Sequence, residues 1–418
     1  MAAERNRYAI LIDASAAASE LRVFGMSLIE RQLAAIGALS RGARPTCEIV
    51  SIVIEHAAGP APGIRPSLLT NLPVRLAPAS GDLSARLTRA AAEASAPLIV
   101  LSGDAIVDSR VLALLVSGTD SAAALGGEGA ERCALLRLAP GAKLAASSAA
   151  GLRAFAEAQL AAGAVRELAL DAIEAHIVDL RRDQAPYAFR IAAADVATTE
   201  RFLFLSNYKG STDFMTRWVF PPFVWALVRP LARWRVHPNW VTALSVALCF
   251  GAIPLWVAGH WALGFAAAYA MAVLDSVDGK LARLTYTTSA IGNVLDHGTD
   301  IVHPPFWYAA WAFGLAGGPH GAIYELTLWM FLLYTLDRLL PAIFRQMTGK
   351  SIHGYAPVDV RWRTWISRRN VNLPVFTLAL PLGLGEQAIA LIVAWQGVCF
   401  VFHAVRVLQV WRDRAAAA

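Results

Sequence analysis

The stretch DSVDGKLARLTYTTSAIGNVLDHGTD, residues 275–300, carries four aspartates within a strongly apolar part of the chain. Residues 251–274, GAIPLWVAGHWALGFAAAYAMAVL, precede it, and residues 301–318, IVHPPFWYAAWAFGLAGG, follow it. Both flanks are typical of membrane-spanning helices. One aspartate at mid-membrane costs about 2.5–3.5 kcal/mol on insertion scales, so four of them require a hydrated cavity and neutralising cations. The stretch therefore predicts a functional site near one end of a pair of membrane helices.

The spacing of the aspartates places them on two helix faces. Residues three, four and seven apart share one face of an α-helix. Asp275 and Asp278 satisfy this spacing at the end of one span, and Asp296 and Asp300 satisfy it at the start of the next. The polar link LTYTTS, residues 284–289, joins the two. The carboxylates are therefore expected to face a common space, and such hard oxygen ligands suit Mg²⁺ or Mn²⁺, which also bind phosphates.

Small residues and one arginine accompany the aspartates. Gly279 and Gly292 each lower helix propensity by up to about 1 kcal/mol relative to alanine, and with Ala282 they leave bare backbone beside the carboxylates. Arg283 offers a fixed cation for a phosphate oxygen. Close helix packing through small residues is the alternative, and it leaves the carboxylates unexplained. For Gly292 taken alone, both interpretations stay open.

The complete spacing, D-x2-D-G-x2-A-R-x8-G-x3-D-x3-D, resembles the signature of the CDP-alcohol phosphotransferase family, and every fixed position is present. The resemblance covers about residues 205–412. It includes VHPNWVT, residues 236–242, which is similar to the family's Pro-Asn-x-x-Thr element. It implies about six transmembrane helices, a homodimer and a divalent-metal site. The implied reaction displaces CMP from a CDP-linked donor and joins the phosphoryl group to an alcohol.

The resemblance also implies a role for each aspartate. Asp275, Asp278 and Asp296 would be the core metal ligands for Mg²⁺ or Mn²⁺, with two ions per active site. Asp300 would be the catalytic base or a shared metal ligand. Two metal ions held by carboxylates can neutralise a pyrophosphate and stabilise the leaving CMP, while the attacking hydroxyl needs a proton acceptor.

Further positions would bind the substrate. For Asn239 and Thr242, helix capping is the alternative role. The residues expected at the CDP site are Asn239, Thr242, Gly279, Ala282, Arg283 and Gly292.

The apolar half of the chain predicts six spans. Candidate spans are residues 239–259, 262–283, 289–315, 321–344, 371–385 and 387–410. Lys and Arg are absent from the links near 258–262, 314–321 and 382–388 and concentrate on the other side. The positive-inside rule then puts both termini and the aspartates on the cytoplasmic side of a multi-pass, inner-membrane protein. Residues 213–235 are rich in Trp and Arg, and a helix there would be broken near Pro221 and Pro222. We expect this segment to lie in the membrane interface.

The basic link at residues 345–374 is the candidate site for the second substrate. Its arginines could hold a phosphate group, as guanidinium forks do. SRRNVNLP, residues 367–374, resembles the arginine-bearing start of the fifth span in family members that use inositol phosphate. We therefore assign Arg368 and Arg369 to substrate binding, with lipid-headgroup contact as the alternative.

LDHGTD, residues 295–300, also resembles the corresponding stretch of family members that act on diacylglycerol. Two substrate pairs therefore stay open. One is CDP-diacylglycerol with a polar acceptor, and the other is a CDP-linked polar alcohol with a lipid acceptor.

The first half of the chain predicts an α/β domain. Residues 8–14, 47–55 and 97–101 are typical of buried parallel strands, with helices at 24–40 and 82–96 between them. Residues 143–165 predict an Ala-rich amphipathic helix. The order resembles the N-terminal cytidylyltransferase-like domain of some family members, in which Asp104 would bind a metal.

The loop after the first strand departs from that pattern. DASAAASELRVFGMS, residues 13–27, has no glycine before Gly25 and no close basic pair to wrap nucleotide phosphates. We therefore expect a degenerate, scaffolding or regulatory domain at residues 1–200, with an active cytidylyltransferase as the alternative. A connector follows at 201–238 and a membrane domain at 239–412.

Composition narrows the function classes. The chain has 418 residues, 56% of them hydrophobic and 16% charged, and its mean hydropathy is +0.47. Its formal net charge is +6, and its basic residues lie mainly beside apolar segments. This placement favours binding to anionic lipid headgroups over binding to nucleic acid. The N-terminus lacks a signal peptide, and the four cysteines lack metal or disulfide spacing. A transporter with an attached sensor domain is the alternative class, but it does not explain the glycine and arginine spacing.

Overall fold

The computed structural model describes residues 6–41 and 46–417, except the side chains of Arg41, Ala130, Asp296, His297 and Ala417. The described chain divides into two units. The first runs to Ile177 and includes Asp183–Ser206 and Leu284–Tyr286. The second comprises Val178–Arg182, Asn207–Arg283 and the chain from Thr287 onward.

The first unit is built on a mixed seven-stranded sheet. The strands in chain order are β1 (Arg7–Ala14), β2 (Arg22–Val23), β3 (Met26–Ser27), β4 (Glu48–His56), β5 (Val74–Pro78), β6 (Leu98–Ser102), β7 (Ala105–Val107), β8 (Ala122–Gly126), β9 (Cys133–Leu138), β10 (Arg166–Glu167), β11 (His176–Ile177), β12 (Arg182–Asp183) and β13 (Ala188–Arg190). The helices are α1 (Leu28–Arg41), α2 (Pro66–Thr70), α3 (Leu83–Glu93), α4 (Ser109–Leu115), α5 (Leu152–Ala161) and α6 (Val196–Ser206). The sheet order is β10-β8-β9-β6-β1-β4-β5.

Strand β1 lies in the interior of the sheet, between β6 and β4, and it is apolar on both faces. Tyr8, Ile10 and Ile12 pack into one core and Ala9 and Leu11 into another, on opposite sides of the sheet. β1 pairs in parallel with β4 and with β6. The three strands predicted from the sequence are thus confirmed to within one residue at each end, and the unit is a mixed α/β sheet domain.

The predicted helix at 143–165 is shorter than its composition indicates. Only Leu152–Ala161 is helical. The side chain of Gln159 accepts a hydrogen bond from the Ala145 amide at 2.7 Å and donates to the Ala145 carbonyl at 2.9 Å. This pairing holds the preceding segment outside the helix, a tertiary contact that alanine propensity cannot reveal.

The rest of the chain is helical. Its helices are α7 (Pro221–Arg233), α8 (Pro238–Val257), α9 (Trp261–Leu284), α10 (Ala290–Ala316), α11 (Ala322–Thr348), α12 (Pro357–Arg363), α13 (Arg369–Ala379) and α14 (Gly385–Ala417). Helix α7 begins at Pro221, where the sequence predicted a break, because proline is favourable in the first turn.

Four of the described helices are long and apolar enough to cross a membrane. They are Pro238–Val257, Trp261–Leu284, Ala322–Thr348 and Gly385–Ala416. The predicted count of six spans is not confirmed. Helix α10 carries aspartates in its first turns, and α13 has 11 residues. At 1.5 Å per residue α13 is about 16 Å long, against a hydrocarbon core of about 30 Å.

Aromatic side chains join the helices around the site. Trp256 of α8 contacts Trp307 and Trp311 of α10 edge-on, with ring centroids 5.1 and 5.5 Å apart. Trp311 stacks on Phe376 of α13 at 4.3 Å. The indole nitrogen of Trp307 also donates to the Cys249 carbonyl at 2.9 Å. This cluster fixes α8, α10 and α13 relative to one another.

Candidate active site

Arg369 connects two of the aspartates. Its guanidinium donates from Nη2 to Asp275 Oδ2 at 2.7 Å and from Nη1 to Asp300 Oδ1 at 2.8 Å. Asp275 lies on α9 and Asp300 on α10, while Arg369 is the first residue of α13 and is 8% exposed. The structure thus brings carboxylates from two helices to the two sides of one buried cation.

Asp278 is held separately, one helical turn after Asp275. It is buried, and its Oδ2 accepts a hydrogen bond from Thr242 Oγ1 at 2.6 Å. Its Oδ1 accepts from the Gly279 amide at 2.5 Å. Thr242 Oγ1 also lies 3.2 Å from the Pro238 carbonyl oxygen, within the first turns of α8. Thr242 therefore contacts a predicted metal ligand in this structure.

The carboxylates offer the type of donor that a divalent cation prefers. These donors are hard oxygens, and two of them already face each other across a positive charge that Arg369 supplies. Among the described side chains, no three acidic, histidine or cysteine residues are grouped closely enough to form a metal site. The predicted ligand Asp296 lies on α10, but its side chain is outside the described part of the chain.

Gly292 and Asn239 pack against each other. A Cβ atom at Gly292 would lie 2.8 Å from Asn239 Oδ1 and 2.9 Å from Ser289 Oγ. Ser289 donates to Asn239 Oδ1 at 2.8 Å and caps α10 by accepting from the Gly292 amide. The missing side chain thus allows α8 to approach the start of α10, which is the packing role left open by the sequence.

Gly279 and Arg283 lie on the face of α9 that lines a cavity. A Cβ atom at Gly279 would meet Arg283 Nη1 at 3.4 Å, an ordinary contact. The Nε of Arg283 donates to Asn207 Oδ1 at 3.2 Å. Ala282 is half-buried on the same helix but is not among the described residues that line the cavity.

The cavity has a volume of about 390 Å³ and adjoins Asp275 and Asp300. Among the described residues, basic side chains dominate its lining, with eight Lys or Arg residues against three aspartates. The aspartates are Asp213, Asp275 and Asp300. The basic residues are Arg181, Lys209, Lys280, Arg283, Arg338, Arg363, Arg368 and Arg369. The lining therefore suits a strongly anionic ligand.

Several of these guanidinium groups have unsatisfied donors. The buried atoms without a hydrogen-bond partner include Nε of Arg338, Nε of Arg368, and Nε and Nη1 of Arg363. Arg363 is 7% exposed. Burial, followed by the charge of Arg368, holds the pKa of Arg363 well below its usual range. Burial likewise lowers the pKa of His353, a further lining residue. Buried cations with free donors indicate a site for an anion.

Sequence reasoning missed part of this lining. Arg361, expected to share in phosphate binding, is exposed and is not among the described residues of the cavity. Arg338 lies in the apolar helix α11, and an ionisable residue in such a helix was a usable signal for function. Lys280, within the aspartate stretch, places its ammonium 3.7 Å from the centre of the Tyr208 ring.

Comparison with known proteins agrees with this geometry. Residues 235–408 match the family described as CDP-alcohol phosphatidyltransferase. An uncharacterized CDP-alcohol phosphatidyltransferase class-I family protein of Schizosaccharomyces pombe is 26% identical over 120 residues. That stretch covers 24% of this chain and 30% of the relative's length. The resemblance predicted from the aspartate spacing is thus confirmed.

Proposed function

We propose that this chain, which carries a CDP-alcohol phosphatidyltransferase domain at residues 235–408, is an integral-membrane phosphotransferase of lipid biosynthesis. Members of this family are transferases of substituted phosphate groups. The proposed reaction moves a phosphoryl-linked group from a CDP-linked donor to a hydroxyl acceptor and releases CMP. The observation that carries the proposal is the aspartate set beside a basic cavity.

Asp275, Asp278 and Asp296 are proposed to hold two divalent cations, Mg²⁺ or Mn²⁺. Bound there, the ions would neutralise the pyrophosphate and stabilise the leaving phosphate. The hydrogen bond from Thr242 supports this assignment because it fixes one carboxylate of the set. Asp300 is proposed to accept the proton of the attacking hydroxyl. Gly279, Ala282, Arg283 and Gly292 remain the proposed CDP contacts on these helices, with Asn239 beside Gly292.

The cavity favours a polar acceptor that carries its own phosphate. A diacylglycerol acceptor has no anionic group, whereas the lining presents eight basic side chains. Arg338, Arg363 and Arg368 have donors without partners among the described residues, and a phosphate dianion would satisfy them. We therefore propose a phosphorylated polyol of the inositol-phosphate type as acceptor, with CDP-diacylglycerol as donor.

The proposed setting is a cytoplasmic membrane, with the N-terminal domain and the site on the cytosolic side. Four membrane-competent helices among the described residues support a membrane location. The basic residues of the cavity support the cytosolic side through the positive-inside rule. A homodimer is proposed from the family resemblance.

CMP release by the purified full-length chain tests the proposed function. CDP-diacylglycerol with inositol phosphate and Mg²⁺ or Mn²⁺ is expected to give CMP and a phosphorylated lipid, detected by mass spectrometry. EDTA is expected to abolish the release because the carboxylates then lack cations, and added metal is expected to restore it.

Two outcomes would contradict parts of this proposal. Full turnover in excess EDTA would remove the metal mechanism. Product formed only from CDP-choline or CDP-ethanolamine with diacylglycerol would retain the phosphotransferase and exclude the phosphorylated acceptor. The Asp278→Asn variant serves as the inactive control.

A further inference from the structure

Residues 178–182 lie outside the matched family domain, yet they belong to the second unit and contribute to the cavity. The Leu180 carbonyl accepts a hydrogen bond from the Gly210 amide at 2.8 Å. A Cβ atom at Gly210 would overlap the Arg181 carbonyl oxygen, so only glycine permits this approach. The segment is therefore packed tightly against the start of the membrane half of the chain.

Arg181 has an unfavourable backbone conformation in this segment. Its φ is +49°, in the left-handed region that non-glycine residues rarely adopt. Its side chain lines the cavity and is half-buried. Burial, followed by the charge of Arg345, lowers the pKa of its guanidinium. Within the described part of the chain, its guanidinium has no ion pair or hydrogen bond that compensates for this position. A strained, partly desolvated cation indicates a ligand.

Arg181 lines the same cavity as the other basic side chains. Besides burial, the charges of Arg368, Arg181 and Arg338 lower the pKa of the buried Arg363 guanidinium, and the Asp213 carboxylate raises it. The Arg181 side chain also approaches within 3.8 Å of the Cβ position of Gly354. Beside Gly354, the His353 carbonyl accepts a hydrogen bond from Ser211 Oγ at 2.6 Å. Arg181 and Arg363 thus line the same cavity, and the charge of Arg181 acts on Arg363.

We infer that Arg181 and Arg363 together form an anion subsite that binds the phosphate monoester group of the acceptor. Repulsion between two unpaired guanidinium groups is relieved when a dianion lies between them, and each supplies forked donors to phosphate oxygens. Arg181 is then a specificity-determining residue contributed from outside the family domain. The inference rests on the proposed function, because it names the group of the acceptor that this cavity holds.

Binding of inorganic phosphate to the full-length protein in detergent tests the subsite without turnover. Calorimetry is expected to show affinity weakened at least about tenfold by Arg181→Gln and by Arg363→Gln, the size of one lost charge-assisted hydrogen bond. Arg361→Gln is the matched control because Arg361 is exposed and outside the described lining, and its affinity is expected to match wild type.

A conservative variant keeps the test decisive if Arg181→Gln folds poorly. Arg181→Lys retains the charge but loses the fork, so its phosphate affinity is expected to fall between those of wild type and Arg181→Gln. Wild-type phosphate affinity in Arg181→Gln or Arg181→Lys would overturn the inference, as would an equal loss in Arg361→Gln.

The kinetic readout separates this inference from the proposed function. In the CMP-release assay Arg181→Gln is expected to raise the KM for inositol phosphate about tenfold while the KM for the CDP-linked donor stays at the wild-type value. A rise in donor KM alone would overturn the acceptor assignment. Phosphate binding that depends on Arg181, without CMP release from any substrate pair, would refute the proposed function and leave the subsite standing.

Discussion

Arg369 balances charge between two aspartates. Asp275 and Asp300 lie on different helices and would repel each other if nothing positive lay between them. The guanidinium pairs with both, so the carboxylates are arranged around a cation in this structure. A buried ion pair of this kind offsets desolvation only when both partners remain, and removal of one leaves an uncompensated charge. Arg369 is therefore expected to support the geometry of the site as well as to contact substrate.

Asp300 and Asp275 are expected to differ in function, although both pair with Arg369. Asp300 lies one helical turn beyond Asp296, about 6 Å along the helix axis. If Asp300 is mainly the base, Asp300→Asn should lower turnover by roughly 10²–10⁴-fold with little change in donor affinity. Asp275→Asn should lower donor affinity itself, because it removes a proposed metal ligand.

Calorimetry of donor binding with Mg²⁺, run beside the kinetic assay, distinguishes these cases. Asn is nearly isosteric with Asp and keeps one oxygen, which makes the two variants a matched pair. If Asp300→Asn lost donor affinity as completely as Asp275→Asn, Asp300 would be a structural ligand and the base would lie elsewhere.

The sequence predicted the carboxylates but not their counter-ion. The aspartates lie within one stretch, where helical periodicity alone relates Asp275 to Asp278. Arg369 is separated from Asp275 by 94 positions, and only the packing of α13 against α9 and α10 brings them together. The same limit applies to Thr242 and Asp278, which are 36 positions apart. Local spacing reveals contacts within a helix, whereas contacts between helices depend on the fold.

At the scale of elements, α13 and α14 differ strongly in length. Helix α13 has 11 residues, and a 3-10 turn at Leu380–Leu382 follows it. Helix α14 has 33 residues, about 50 Å at 1.5 Å per residue, which exceeds the hydrocarbon thickness. The sequence placed a span at 371–385 because apolar residues continue there, but Pro381 ends the α-helical hydrogen bonding early.

The short α13 is still expected to bring the chain to the side opposite the basic residues. The link before α14 carries neither Lys nor Arg, whereas Arg412 and Arg414 follow at the other end of that helix. Glu386→Cys should therefore react with a membrane-impermeant maleimide in intact cells, and Lys350→Cys only after permeabilisation. Both positions are exposed, and the four native cysteines are buried, so background labelling should be low.

Labelling of both positions from the same side would contradict this topology. Chain segment 351–385 would then stay on one face of the membrane, and α13 would be a re-entrant helix. His260→Cys, in the link between α8 and α9, provides the matched external control, since that link also lacks basic residues.

At the scale of the whole molecule, the N-terminal unit is a mixed α/β sheet domain, and the segment after its first strand is folded against the rest of that unit. After β1 the chain forms a 3-10 turn and the β2–β3 hairpin. Phe24 at the hairpin turn is fully buried, and its amide donates to Glu200 Oε1 at 3.0 Å. The segment after β1 is therefore folded into the domain, and the expectation that this domain does not wrap a nucleotide stays a prediction.

Asp104 is also engaged within the protein. It is 1% exposed, its Oδ1 accepts from Ser102 Oγ at 2.6 Å, and its Oδ2 pairs with Arg190. The sequence marked Asp104 as a metal-binding position but gave no indication of Arg190, which is 86 positions away. A carboxylate neutralised by an arginine has less need of a metal cation.

We therefore expect that the full-length chain does not make its own CDP-linked donor. Incubated with CTP, Mg²⁺ and a panel of phospho-alcohols, it should release no pyrophosphate above the rate without protein. This readout is specific because the membrane reaction releases CMP rather than pyrophosphate, and an active cytidylyltransferase assayed in parallel confirms detection. Arg190→Gln is the informative variant, since it frees the Asp104 carboxylate without altering the loop. Pyrophosphate release by the wild-type chain that is lost in Asp104→Asn would make the protein bifunctional and would show that a nucleotide can bind without a glycine-rich loop.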